Sequence, residues 1–368
     1  MSAPDVQLLV DALARPETLP GLRNAQWDLL IRQARRADML PRIEERCRSA
    51  GVWEQLPAQP RLHLESAAVV ARRQHRELRW EVRLIADALG SLQIPVALLK
   101  GAAYAMSGLA AARGRMMSDV DILVPHETLP EVESALMKRG WVSSAKTEYD
   151  DRYYRQWMHE LPPMQHFHRQ TVIDVHHAIL PLTSRTHPST ARLLADARPM
   201  PGDDRLLVLS PLDMVLHSAS HLFHEGELEQ GFRGLVDIDC LLGEFGTQAD
   251  FWSRLVPRAI ELELSRPLFY ALRYAKAILG TPIPDAVMEA AAASPGGRTA
   301  GPGLALMDAM FQRALLPDHP TTSDFWTPTS RFMLYLRGHW LRMPPWLLAI
   351  HLGRKLVTRK KTEEAETA

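Results

Sequence analysis

Two carboxylates inside an apolar run constrain this chain more than any other feature. The run is Ser118-Asp119-Val120-Asp121-Ile122-Leu123-Val124, and residues 117–124 read as a strand. Side chains alternate faces along a strand, so Asp119 and Asp121 point the same way. Val120, Ile122 and Val124 point the other way, into a core. Neighbouring carboxylates repel each other, so the arrangement is costly unless cations neutralise it.

A pair of divalent ions answers that cost. Mg²⁺ takes oxygen ligands and shares carboxylates with substrate phosphates. A third acid would complete such a site, and Thr171-Val172-Ile173-Asp174-Val175-His176-His177 supplies one. There Ile173 and Val175 face the core, while Asp174 and His176 share the opposite face. An acid in an otherwise apolar strand needs a reason, and joining Asp119 and Asp121 is one.

The strands sit between helical stretches. Asn24 is expected to cap a helix that buries Trp27, Leu30, Ile31 and Ala34, and Pro41 restarts the chain. Residues 64–89 read as a long helix stopped by Gly90. Its arginines Arg72, Arg73, Arg76, Arg79 and Arg83 read as a solvated face paired with Glu77 and Glu81. Residues 94–99 then form a short apolar run typical of a buried strand. Thr128-x-x-Glu131 has the form of a capping box, opening a helix that stops at Gly140. Residues 141–145 suit a third strand, and residues 165–168 and 171–176 suit a hairpin or two neighbouring strands. Beyond Pro181 the reading is helical again, with Ser210-Pro211-Leu212-Asp213 as a strong start signal. The expected fold is α+β: a mixed sheet flanked by helices, with helical N- and C-terminal regions. The expected divisions are 1–90, a core at 91–185, a helical domain at 186–345, and a basic amphipathic tail at 346–368.

Composition narrows the class. Of 368 residues, 46% are hydrophobic, too many for an extended disordered chain. Lys plus Arg number 43, as do Asp plus Glu, which removes a global electrostatic case for nucleic-acid binding. Two cysteines cannot build a disulfide framework, and the N-terminus has no signal-peptide pattern, so a cytoplasmic location is expected. No apolar run approaches the roughly 20 residues of a transmembrane helix.

Three motifs in order carry a resemblance. They are Leu98-Leu99-Lys100-Gly101-Ala102-Ala103, then Arg115-x-x-Ser118-Asp119-Val120-Asp121-Ile122-Leu123-Val124, then Ile173-Asp174-Val175-His176-His177. This set resembles the DNA-polymerase-β-like nucleotidyltransferase superfamily, and within it the bacterial group of uncharacterised nucleotidyltransferases. The resemblance implies a nucleotidyltransferase core, two Mg²⁺ ions (Mn²⁺ as an alternative) and transfer of NMP from an NTP, ATP foremost, to an acceptor. Asp119, Asp121 and Asp174 would be the catalytic, metal-binding acids. Lys100, Gly101, Arg115 and Ser118 would bind the nucleotide. Where the superfamily usually has Gly-Ser, this chain has Lys100-Gly101-Ala102. Lys100 then reads either as a phosphate ligand or as a strand-end cation. That departure also keeps a rival open: a degenerate nucleotide-binding or scaffolding module.

Other constellations are weaker. His217, His221 and His224 fall at i, i+4 and i+7 of one helix, and without H-E-x-x-H they read as a satisfied or substrate-facing stripe. His221 is the substrate-facing candidate. Arg233 and Asp237 are expected to pair along their helix or to approach the nucleotide. His176 and His177 suit hydrogen bonding around Asp174. The basic tail suits packing on the body, with a membrane surface or RNA as alternative contacts. The acceptor stays open among small molecules, peptides or proteins, and RNA.

Overall fold

The computed structural model of the chain describes residues 6–343, apart from 146, 225, 227 and 298–300. The tail at 346–368 lies outside the described residues.

Among the described residues, seven strands form one mixed sheet. They are β1 (Ala97–Leu98), β2 (Asp119–Leu123), β3 (Trp141–Ser143), β4 (Met164–His166), β5 (Val172–His176), β6 (Arg198–Met200) and β7 (Asp203–Val208). Their order is β3-β4-β5-β2-β1-β7-β6. The centre is β5-β2-β1: β2 runs parallel to β5 and antiparallel to β1, and β1 runs parallel to β7. β4 and β5 form the expected hairpin. The apolar run at 94–99 contributes only two ladder residues, because Leu99 and Lys100 turn into the helix Lys100–Met106.

The β6–β7 hairpin falls in a stretch expected to be helical. Its pairing with β1 extends the sheet to Val208, past the expected core boundary at 185. Arg198-Pro199 and the Asp203-Asp204-Arg205 run mask its strand character, since an edge hairpin tolerates proline and charge.

Helices cover the sheet. The long helix Ala58–Leu89 starts six residues earlier than expected, with Pro60 in its first turn. It buries Leu78, Val82, Ile85 and Leu89, and Gly90 caps it. Arg73 pairs with Glu77 at 2.7 Å as expected. Glu81 does not pair along the helix. It is buried and takes a two-pronged contact from Arg169, at 2.8 and 2.9 Å, which ties the β4–β5 turn to the long helix.

Helix starts follow the sequence in part. Arg23, not Asn24, precedes the helix Asn24–Arg36, and its N–H donates to Gln26 Oε1 at 3.0 Å. The Thr128 capping box does not form, because the Thr128 hydroxyl donates to the Pro125 carbonyl at 2.8 Å. The helix Leu129–Lys138 still buries Val132 and Leu136. Ser210 caps the helix Pro211–His224 by accepting from the Asp213 N–H at 3.2 Å. One continuous hydrophobic cluster runs from Leu9 to Leu334 and includes the central strands. Among the described residues, no helix is long and apolar enough to cross a membrane.

Candidate active site

The central parallel pair positions the acids. Asp121 lies across from Asp174, and Asp119 across from Val172, in an unbroken register between β2 and β5. Period-two alternation then puts Asp119, Asp121 and Asp174 on one face. One oxygen from each lies within 4.8 Å of the others. On the opposite face Val120, Ile122, Ile173 and Val175 are buried. Asp119, at the strand mouth, is exposed, while Asp121 is only 7% exposed. The site is thus open at Asp119 and closed behind Asp121.

The acids differ in charge state. Burial alone would raise the Asp121 pKa, but the Lys100 ammonium and His176 outweigh it and hold the carboxyl well below the usual range. Lys100 Nζ lies 3.6 Å from Asp121 Oδ1, and His176 Nε2 lies 3.0 Å from the same oxygen. Asp174 goes the other way. Burial, then the charges of Asp121 and Glu160, push its pKa up to about 7. Its Oδ1 is buried with no hydrogen-bond partner. An orphaned carboxylate oxygen within a cluster of three acids is what a divalent cation would satisfy, so the residues present fit the group. His176 therefore bonds Asp121, not Asp174 as expected.

The Lys100–Gly101 turn sits beside this cluster. Lys100 adopts a left-handed backbone, φ 42°. Gly101 is buried under the Arg115 guanidinium, and a Cβ there would lie 2.6 Å from Arg115 Nη1 and 2.9 Å from Met117 Sδ. Only glycine lets the arginine lie that close. Ser118 donates its hydroxyl to Asp119 Oδ1 at 3.0 Å.

Arg115 is anchored from behind. Its Nε donates to Asp237 Oδ2 at 2.8 Å, and Arg42 Nη2 donates to Asp237 Oδ1 at 2.9 Å. Arg233 does not pair with Asp237 along the helix Gly231–Phe245; it reaches Asp38 at 3.4 Å. Asp237 serves Arg115 instead, so that helix reaches the site through one arginine. Gly114, at φ 64°, allows the loop to press on Arg42, since a Cβ there would lie 2.5 Å from the Arg42 Cα. From the long helix, Gln74 accepts from the Met117 N–H at 3.1 Å and His75 bonds the Arg115 carbonyl at 2.8 Å.

The histidine stripe divides. His217 and His221 feel the charges of Lys100, Asp121 and His176, and burial holds both pKa values well below the usual range. His224 does not join them: its neighbours in charge are Arg337, Arg342 and Arg266. His177 packs edge-on against His126 at 4.7 Å, away from the acids.

Sequence reasoning missed Arg42, Gln74, His75, His159 and Glu160. No local spacing marks them, since each reaches the site from a distant segment. No curated protein and no solved structure matches the chain. A family described as uncharacterised nucleotidyltransferase does, through residues 23–280, a span that takes in both acid-bearing strands, the Gly101 turn and the Asp237 anchor. With more than half its length matched, the chain belongs to that nucleotidyltransferase family.

Proposed function

We propose that the chain transfers a nucleoside monophosphate from an NTP, with ATP the first to test, to an acceptor oxygen. The acceptor oxygen bonds to the α-phosphorus, the bond to the bridging oxygen breaks, and pyrophosphate leaves. The acceptor's proton would pass to the Asp174 carboxylate. Asp119, Asp121 and Asp174 would hold two Mg²⁺ or Mn²⁺ ions, which supply positive charge to the attacking and leaving oxygens when bound. Arg115, fixed by Asp237, and Lys100 stand beside the acids as cations for the triphosphate. Gly101 keeps the turn low enough for phosphate to approach. Ser118 steadies Asp119, His176 holds Asp121 from its buried side, and His221 borders the cluster as a substrate-facing group.

The observation that carries this reading is the three-acid cluster with an orphaned Asp174 oxygen. Family membership supports nucleotidyl transfer as the class. Zero net charge weighs against RNA as acceptor and favours a small molecule, peptide or protein. A cytoplasmic setting suits the two buried, unbridged thiols of Cys47 and Cys240.

Incubation with each labelled NTP, Mg²⁺ and fractionated lysate tests the proposal. Label should pass to one acceptor fraction, and Asp119→Ala should abolish transfer while leaving the fold intact. Full transfer by that variant would remove Asp119 from the site. One observation favours a second reading, a nucleotide-binding module without turnover: the Lys100 ammonium already stands against Asp121, as a tethered cation would. Nucleotide binding with no Mg²⁺-dependent pyrophosphate release supports that reading instead.

A further inference from the structure

A second set of donors meets at the far end of β5. Glu160 forms a lone antiparallel bridge with His176. Flanking backbone bonds lock this register: Leu161 N–H donates to the Val175 carbonyl at 2.9 Å, and His177 N–H donates to the His159 carbonyl at 2.8 Å. The result brings one donor atom from each of His159, Glu160 and His176 within 4.8 Å of the others.

Two ring nitrogens there lack a hydrogen bond. His176 spends Nε2 on Asp121. Its Nδ1 lies 3.3 Å from Glu160 Oε2, off the line a hydrogen bond requires, and is buried without a hydrogen bond. His159 Nδ1 is likewise buried without one. The two side chains belong to residues only 7% and 3% exposed, so water does not readily meet the need. Each buried nitrogen left without a bond is a desolvation cost that a bound cation would relieve. The two ring centroids lie 5.2 Å apart, with the ring planes tilted by 32°.

We propose that His159, Glu160 and His176 bind a transition-metal ion, Zn²⁺ by donor set. Two imidazoles and one carboxylate are a three-ligand zinc set, and they disfavour Mg²⁺, which takes oxygen. The His176 Nε2–H to Asp121 contact supplies the outer carboxylate that orients a metal-bound imidazole. An ion here fixes the His176 ring and, through it, the Asp121 carboxylate. The site does not depend on whether the neighbouring acids turn over substrate.

Co²⁺ added to chelator-stripped full-length protein reports the site through its visible absorption. One equivalent should bind with an intense four-coordinate band, be displaced by Zn²⁺, and resist excess Mg²⁺. Affinity should fall at least about tenfold in both His159→Gln and Glu160→Gln, and stay within about twofold in Asp119→Asn. A band that excess Mg²⁺ or Asp119→Asn removes would assign the ion to the acid cluster and overturn the proposal. So would absence of binding, or unchanged affinity in either of the first two variants that folds. The Mg²⁺ competition needs no variant, so it decides even if neither folds.

Discussion

Asp121 and Asp174 stand directly opposite each other on adjacent parallel strands, yet they carry opposite electrostatic biases. Lys100 and His176 both lie against Asp121. Asp174 is left with an orphaned oxygen and like charges nearby. The strand pair thus stores repulsion at one residue and relieves it at the other.

That asymmetry gives a pH signature in metal-free protein. Asp174 titrates near 7 in the fold against an ordinary value of 3.8. Between roughly pH 4 and 7 the folded state holds a proton that the unfolded state has lost. Its contribution to stability therefore falls as pH rises through that window, and the penalty is full above it. Asp174→Asn removes the penalty. In chelator, the melting temperature of the variant minus that of wild type should be more positive at pH 8 than at pH 5. An equal difference at both would deny the raised pKa.

Asp237 is the keystone behind the site, since it takes one donor from Arg42 and one from Arg115. Arg42 is 1% exposed, so Asp237→Ala strands a buried guanidinium. The expected loss is about 3–5 kcal/mol in denaturant unfolding. Pairing Asp237→Leu with Arg42→Met should recover part of that loss, because the fully buried Arg42 charge leaves with its partner while Arg115 keeps its charge without Asp237. Nucleotide affinity should remain low in the double variant, since Arg115 has lost its anchor.

Gly101→Ala tests the close approach at the turn. Arg115 could swing aside only by releasing Asp237, because its Nε is held at 2.8 Å. Overpacking of this kind costs about 1–3 kcal/mol. We expect lower unfolding stability and a higher KM for the NTP. An unchanged protein would mean the turn has room the geometry denies.

The acids were legible because a strand's period is fixed at two and the apolar partners flag the buried face. Asp119, Asp121 and Asp174 meet as that pattern requires. Which acid His176 bonds was not legible, since it depends on a ring rotation between two nearby carboxylates. Arg233 and Asp237 looked like an i, i+4 pair, but Arg42 and Arg115 outcompete Arg233 through segments 195 and 122 residues away. His224 left the stripe because an i+7 residue near a helix end meets whatever packs there, here a group of arginines. The β6–β7 hairpin escaped because edge strands carry the charges and proline that mask strand character.

Lys100 combines strain with charge, and two substitutions separate them. Its left-handed backbone, φ 42°, disfavours any side chain with a Cβ. Lys100→Gly and Lys100→Met both remove the ammonium beside Asp121, but only glycine relaxes the backbone. After glycine's own chain-entropy cost, Lys100→Gly should be the more stable of the two by up to about 1 kcal/mol. Affinity for the triphosphate should fall equally in both, because it depends on the lost charge. If Lys100→Met retains wild-type affinity, the lysine is a strand-end cation that neutralises Asp121 and does not touch phosphate.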